Sequence, residues 1–322
     1  MIVKNVFLFP GQGAQKKGML QEVCEKFPEA MEVVKKVEEI SGEPVSKYMW
    51  ETEDAELARS DRSQLAITTA AMAITQVLKT KGIEPDMCAG FSLGEYTALF
   101  ASGVLSFEDT VKVVKQRGII MQEVCDEIAA NSNGKQPGMA AVIGLTPEQV
   151  IKAVEPLAKE GICFAANLNS VKQTVISGTS EGLEKAEPLC KEAGCRRFIV
   201  LKVAGPFHSP LMAKAGERFE KVLSQVQFNN PQKRLFSNVT GKEVTSGEEA
   251  KSLAIQHFTN PVCWVSEEKE IAQIIDYSNA DCASNWNIFE VGPGSVLSGL
   301  WRDSEYSQNI SCSAVNTVET LN

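Results

Sequence analysis

The chain is predicted to adopt an α/β fold with a small α+β unit inserted into a large domain. Three observations predict this. Short apolar runs alternate with long amphipathic runs, as buried strands alternate with crossover helices. A turn-rich stretch, Asn131-Ser132-Asn133-Gly134-Lys135-Gln136-Pro137-Gly138, interrupts that alternation. After it the order becomes β-α-β-β-α-β, a ferredoxin-like unit. Third, Gly90-Phe91-Ser92-Leu93-Gly94 follows an apolar stretch and opens a helical run. The expected division is 1–128 and 204–322 for the large domain and 129–203 for the small one.

In chain order, Asn5–Phe9 reads as the first buried strand. It runs into Pro10-Gly11-Gln12-Gly13, a turn with exposed N–H groups. That turn reads as a plain loop or as a source of one oxyanion donor, the N–H of Gln12. It lacks the Lys-Ser/Thr of a phosphate loop. Met19–Ile40 reads as a helix or helix pair ending at the breaker Gly42-Glu43-Pro44, and Arg62–Thr80 as a helix with a narrow small-residue face. Gln64 near its start either lines a pocket or solvates the helix end.

Met87–Ala89 is the strand before the glycine-flanked serine. A serine on such a turn projects its Oγ into a cleft, and the next N–H, that of Leu93, can face a developing oxyanion. The competing reading makes Ser92 a helix N-cap. Phe107–Ala129 reads as a helix carrying Arg117 beside Gly118. This arginine either snorkels to the surface or binds a ligand carboxylate, which its planar fork suits.

In the inserted unit the strands are Met139–Ile143, Ile162–Asn167, Gln173–Ser177 and Arg196–Val203. The helices are Pro147–Lys159, capped by Thr146, and Glu181–Ala193. The large domain resumes with Gly205-Pro206-Phe207-His208-Ser209-Pro210 and a helix over Ser209–Val226. A short strand over Arg234–Asn238 follows, and Asn287–Val291 reads as the last buried strand, after which Gly292-Pro293-Gly294 turns into a helix capped by Ser295.

Hydrophobic residues make up 43% and charged residues 23% of the chain, as in ordinary globular proteins. No apolar run reaches membrane-spanning length, and the first residues are too soon broken for a signal peptide. Nine scattered cysteines without C-x-x-C read as reduced thiols in a cytoplasmic protein, with no metal site. A net charge of −9 disfavours nucleic acid as a partner. The chain has only two histidines, His208 and His257. A serine nucleophile most often takes its base from a histidine. His208, in a turn before a helix, is the favoured base, and His257 is read as structural or orienting.

Several motifs occur in one order: Phe9-Pro10-Gly11-Gln12-Gly13-Ala14-Gln15, Gly90-Phe91-Ser92-Leu93-Gly94-Glu95, Gln116-Arg117-Gly118, Gly205-Pro206-Phe207-His208-Ser209-Pro210-Leu211-Met212, Asn260-Pro261-Val262 and Glu290-Val291-Gly292-Pro293-Gly294. Together they resemble the malonyl-CoA:acyl-carrier-protein transacylases of fatty-acid synthesis, over essentially the whole chain. The resemblance implies an α/β-hydrolase-like large domain and a ping-pong reaction with a malonyl-serine intermediate. Ser92 would be the nucleophile and His208 its base, oriented by a main-chain carbonyl near His257. The N–H groups of Gln12 and Leu93 would hold the oxyanion. Arg117, with Gln64 near it, would bind the malonyl carboxylate, and Phe207 would crowd a branched substrate. Malonyl-CoA and acyl carrier protein are the implied partners, with no bound cofactor, and the chain is expected to be a monomer.

The chain departs from the family at two places. Phe91 precedes the nucleophile where histidine is common, and His257 stands where glutamine is expected. An acidic carrier would need a local basic patch, for which Lys112, Lys115, Arg196, Arg197, Lys214 and Arg218 are candidates. A polyketide acyltransferase, a serine esterase or thioesterase and a non-catalytic carrier-binding module are the alternatives.

Overall fold

The computed structural model describes residues 3–132 and 135–322. Asn133 and Gly134, within the expected linker, lie outside the described residues. Among the described residues, ten strands form two sheets. The strands are β1 (Lys4–Phe9), β2 (Met87–Gly90), β3 (Gly138–Ile143), β4 (Cys163–Ser170), β5 (Gln173–Gly178), β6 (Arg197–Val200), β7 (Arg234–Phe236), β8 (Glu243–Val244), β9 (Trp286–Val291) and β10 (Cys312–Val315).

The larger sheet has the order β10-β9-β1-β2-β7-β8. All its pairings are parallel except β7 with β8. Parallel strands are covered on both faces, so the central ones read as unbroken apolar runs. Val6, Phe7, Leu8 and Phe9 of β1 are accordingly all fully buried. The smaller sheet, β4-β5-β3-β6, is antiparallel throughout. Helices Pro147–Lys159 and Ser180–Glu192 cover one of its faces, around Ala140, Val142 and Ile176. Its other face, with Met139, Ala141 and Val175, joins the main core.

Most expected elements lie where the apolar pattern puts them. Helix Pro147–Lys159 starts at a capping box between Thr146 and Gln149. The Met19–Ile40 run is a pair, Gln21–Lys26 and Pro28–Ser41, closed by Gly42 in the left-handed region at φ 70°.

Six expectations need correction. The strand expected over Arg196–Val203 covers only Arg197–Val200. The apolar face of Ser60–Thr80 is not narrow. Fifteen of its residues are buried, because other helices pack around it as well as the sheet. The helix expected over Ser209–Val226 begins as a 3-10 turn at Pro210–Met212 and is α-helical only over Ala213–Leu223. The strand expected over Arg234–Asn238 stops at Phe236, and Asn238 turns into the site described below. Asn287–Val291 is not the last strand, since β10 adds a half-exposed edge beyond it. Ser295 precedes helix Val296–Asp303 without capping it. Instead the buried Glu290 carboxylate accepts from the Ser298 N–H at 2.8 Å and its hydroxyl at 2.6 Å. A carboxylate satisfies those orphan donors and complements the helix dipole better than a hydroxyl.

All nine cysteines are free thiols. Among the described residues, no helix is long and apolar enough to cross a membrane.

Candidate active site

The carboxyl ends of β1 and β2 carry the site. Phe9 O at the end of β1 accepts from the Phe91 N–H at 2.8 Å, which ties the two strand ends together. The chain then reverses at Ser92, whose φ of 52° lies in the left-handed region. Gly90 and Gly94 permit this turn. A Cβ on Gly90 would overlap the backbone of Gly94, and one on Gly94 would overlap Phe9 O. The residue preceding helix Gly94–Ala101 is Leu93, and no side chain caps it. Ser92 is therefore not a capping residue, and its hydroxyl is directed elsewhere.

That hydroxyl lies 2.7 Å from His208 Nε2. The loop before Pro210 places the imidazole, and His208 itself has a φ of 56°. Its other nitrogen, Nδ1, is 3.0 Å from the main-chain oxygen of His257. A carbonyl can only accept, so Nδ1 carries the proton and Nε2 presents its lone pair to the serine. Among the described residues, no carboxylate is hydrogen-bonded to this ring. Burial, followed by the charge of Arg117, holds the His208 pKa down to about 4, so the imidazole is neutral at neutral pH. The His257 ring lies 4.8 Å from that of His208, and among the described residues neither of its nitrogens has a hydrogen-bond partner.

Arg117 is only 1% exposed. Nη1 donates to Gln64 Oε1 at 2.7 Å, and the rings of Tyr96 and Phe258 flank the guanidinium at 5.1 and 5.3 Å. Among the described residues, Nε has no hydrogen-bond partner and no carboxylate lies within 4.0 Å of the group. The helix bearing Arg117 reaches Gln64 because Gly118 lets it approach the start of Ser60–Thr80. A Cβ there would sit 2.5 Å from Ser60 O. The snorkelling reading of Arg117 is thereby excluded. So is the solvating reading of Gln64, which is fully buried. A buried guanidinium lacking an anion is costly, and the cost is relieved when a ligand carboxylate enters.

Ser92, His208, Arg117, Gln12 and Phe207 line one cavity of about 240 Å³ between the two sheets. Asn167 and Asn169 face it from β4. Among the described residues, neither the Gln12 nor the Leu93 backbone N–H has an acceptor. The Ser92 N–H does have one, Asn238 Oδ1 at 2.6 Å. The Gln12 side chain reaches away to Ala58 O and Ser60 Oγ. Phe91 packs edge-on against Trp264 with ring centroids 5.5 Å apart.

Of the basic candidates, Lys112 pairs with Glu108, Lys115 with Glu43, and Lys214 and Arg218 with Glu127. Arg196 and Arg197 are exposed at the edge strand β6. Sequence reasoning missed Asn238, Glu95 and Glu267, which lie behind the serine turn. Glu95 adjoins the glycine motif, but nothing in the sequence brings residues 238 and 267 to residue 92.

A family model described as an acyl transferase domain matches residues 6–283. A malonyl CoA-acyl carrier protein transacylase of Bacillus subtilis is 36% identical across 99% of this chain and 95% of its own. The chain belongs to the malonyl CoA-acyl carrier protein transacylases of the acyl transferase family. An acyl carrier protein S-malonyltransferase from Vibrio cholerae superposes with a TM-score of 0.87 at 32% identity, covering 99% of this chain and 98% of that one. A malonyl-transacylase solved in complex with a type II PKS acyl-carrier protein has the same TM-score at 31% identity, covering 99% and 97%. The chain is thus an acyltransferase with a mixed α/β fold.

Proposed function

We propose that this transacylase moves the malonyl group of malonyl-CoA to the phosphopantetheine thiol of acyl carrier protein, supplying fatty-acid elongation. One observation carries the reading: a serine–histidine dyad and a buried arginine without an anion open onto the same cavity. The Ser92 hydroxyl gives its proton to His208 Nε2 as Oγ attacks the thioester carbonyl carbon. The oxyanion is held by the N–H groups of Gln12 and Leu93. The imidazolium keeps its Nδ1–H on the His257 carbonyl, whose dipole replaces the carboxylate of a triad. The C–S bond breaks, and coenzyme A leaves with the proton from Nε2. The carrier thiol then gives its proton to His208 and attacks the malonyl-serine ester. The C–O bond breaks and Oγ regains the proton. This sequence needs protein groups, the coenzyme A thioester and the carrier thiol, with no bound cofactor.

Arg117, oriented by Gln64, binds the malonyl carboxylate through its remaining donors. Phe207 narrows the cavity against a branched substrate. The strand order supports reading the large part, 1–128 and 204–322, as α/β-hydrolase-like. It likewise supports reading 129–203 as a ferredoxin-like insertion. Free thiols fit a cytoplasmic location. A monomer suffices, since every group named comes from one chain.

The test is intact mass after brief mixing with malonyl-CoA, run beside Ser92→Ala. A malonyl adduct on the parent alone, discharged by carrier protein and slow to hydrolyse, is expected. No adduct, or one equally present on Ser92→Ala, would overturn the reading, and rapid hydrolysis without an acceptor would identify a thioesterase. The similarity to a malonyl-transacylase solved with a type II PKS carrier supports a second reading, service to a polyketide carrier. Comparing KM for the two carriers decides between them.

A further inference from the structure

The Ser92 turn is braced from behind by a residue that the reaction scheme does not use. Strands β2 and β7 pair in parallel at Met87 with Arg234 and at Cys88 with Leu235, and then part. Beyond that point the side chain of Asn238 takes over the role of the missing strand. Its Oδ1 accepts from the Ser92 N–H at 2.6 Å, and its Nδ2 donates to Gly90 O at 2.6 Å. One amide thus spans the backbone on both sides of Phe91. The planar group fixes the direction of the Ser92 N–H, and so the left-handed φ at which Oγ leaves the chain.

The amide is held in turn. Nδ2 also donates to Glu267 Oε1 at 2.8 Å. The backbone N–H of Asn238 donates to Glu95 Oε2 at 3.0 Å, and its carbonyl accepts from the Cys263 N–H at 2.7 Å. Asn238, Glu95 and Glu267 are all buried. The flip state of the amide follows from this network, since Nδ2 faces two acceptors and Oδ1 faces a donor. The Ser92 N–H is also withdrawn from the oxyanion, which leaves that task to Gln12 and Leu93.

We infer that Asn238, oriented by Glu95 and Glu267, is a positioning residue for acylation: it holds the Ser92 turn so that Oγ meets His208 and the Leu93 N–H meets the oxyanion. The inference rests on the proposed malonyl-serine reading. It predicts an effect on the chemical step and not on substrate capture, because Arg117 and Gln64 stand on other helices.

The experiment is rapid-quench acylation by malonyl-CoA in the parent, Asn238→Ala and Asn238→Asp, with thermal unfolding of each. Misplacing a reacting group by about 1 Å costs on the order of 100-fold. Asn238→Ala is therefore expected to acylate about 100-fold more slowly, with half-saturating malonyl-CoA within about threefold of the parent. Slowing of less than about tenfold, or slowing matched by an equal rise in half-saturating malonyl-CoA, would overturn the inference. Should Asn238→Ala fail to fold, Asn238→Asp decides. It keeps the acceptor for Ser92 but sets an oxygen against Gly90 O and Glu267. Acylation slowed by about tenfold or more at parental half-saturation supports the inference, and a smaller change overturns it. If the parent itself takes up no malonyl group, the reading of function has failed, which is a separate result.

Discussion

Replacing Arg117 with alanine tests how the site selects its acyl group. In the structure this guanidinium is 1% exposed, gives one N–H to Gln64 and, among the described residues, has no carboxylate partner. A malonyl carboxylate entering the cavity can take two of the remaining donors. Charge-assisted hydrogen bonds contribute about 1.5–3 kcal/mol each, so two contribute about 3–6 kcal/mol. That is roughly 10²- to 10⁴-fold in kcat/KM. Arg117→Ala should lower kcat/KM for malonyl-CoA by about that factor. An acetyl group makes neither bond in the parent and leaves a buried charge unpaired, so the same substitution should leave acetyl transfer unchanged or raise it. The assay compares the two thioesters under single turnover on both proteins. Arg117→Met serves as a volume-preserving control, because Tyr96 and Phe258 pack against the guanidinium. A malonyl loss below about threefold, or a parallel loss with both thioesters, would refute the assignment.

Other outcomes follow from the same geometry. His257→Gln should keep most activity, because His208 Nδ1 meets the backbone oxygen of residue 257, and among the described residues the His257 ring nitrogens have no hydrogen-bond partner. Near-total loss of transfer with an intact unfolding transition would contradict this. The His208 pKa is lowered from 6.5 to about 4, so its base form persists on acidification, and kcat/KM for malonyl-CoA should fall only as the pH approaches that value. A malonyl carboxylate on Arg117 offsets one cause of the lowering, so the acid limb of kcat should lie at higher pH than that of kcat/KM. An acid limb of kcat/KM near 6.5 would show that the base is not the buried imidazole. Arg196→Glu with Arg197→Glu should raise KM for the acidic carrier while malonyl loading proceeds at the parental rate. Unchanged carrier KM in a steady-state titration would remove this edge from the docking surface.

Much of this protein can be read in the sequence because the relevant constraints are local. Unbroken apolar runs give buried parallel strands, and glycines at 90 and 94 make the sharp turn at Ser92 possible. The chain has only two histidines, which limits the candidates for a base. Thr146 with Gln149 fixes a helix start, since the cap lies within one turn. The same local reading failed where partners are distant. Glu290 takes the place of Ser295 at a helix start, and Ser60–Thr80 is enclosed by elements whose arrangement no window of sequence contains. Arg117 and Gln64 each had two open readings until burial joined them.

Tertiary structure alone decided the states of the groups and not their identities. It turned the His257 carbonyl onto His208, which sets the tautomer, and buried both rings, which keeps them neutral. It left Arg117, among the described residues, with no carboxylate within 4.0 Å and brought Asn238 against a serine 146 positions earlier in the chain. Residue types set which chemistry is available, and local patterning sets where the chain turns. Protonation, orientation and selectivity depend on desolvation and on contacts between distant residues, and these arise only when the sheets and helices close around the cavity.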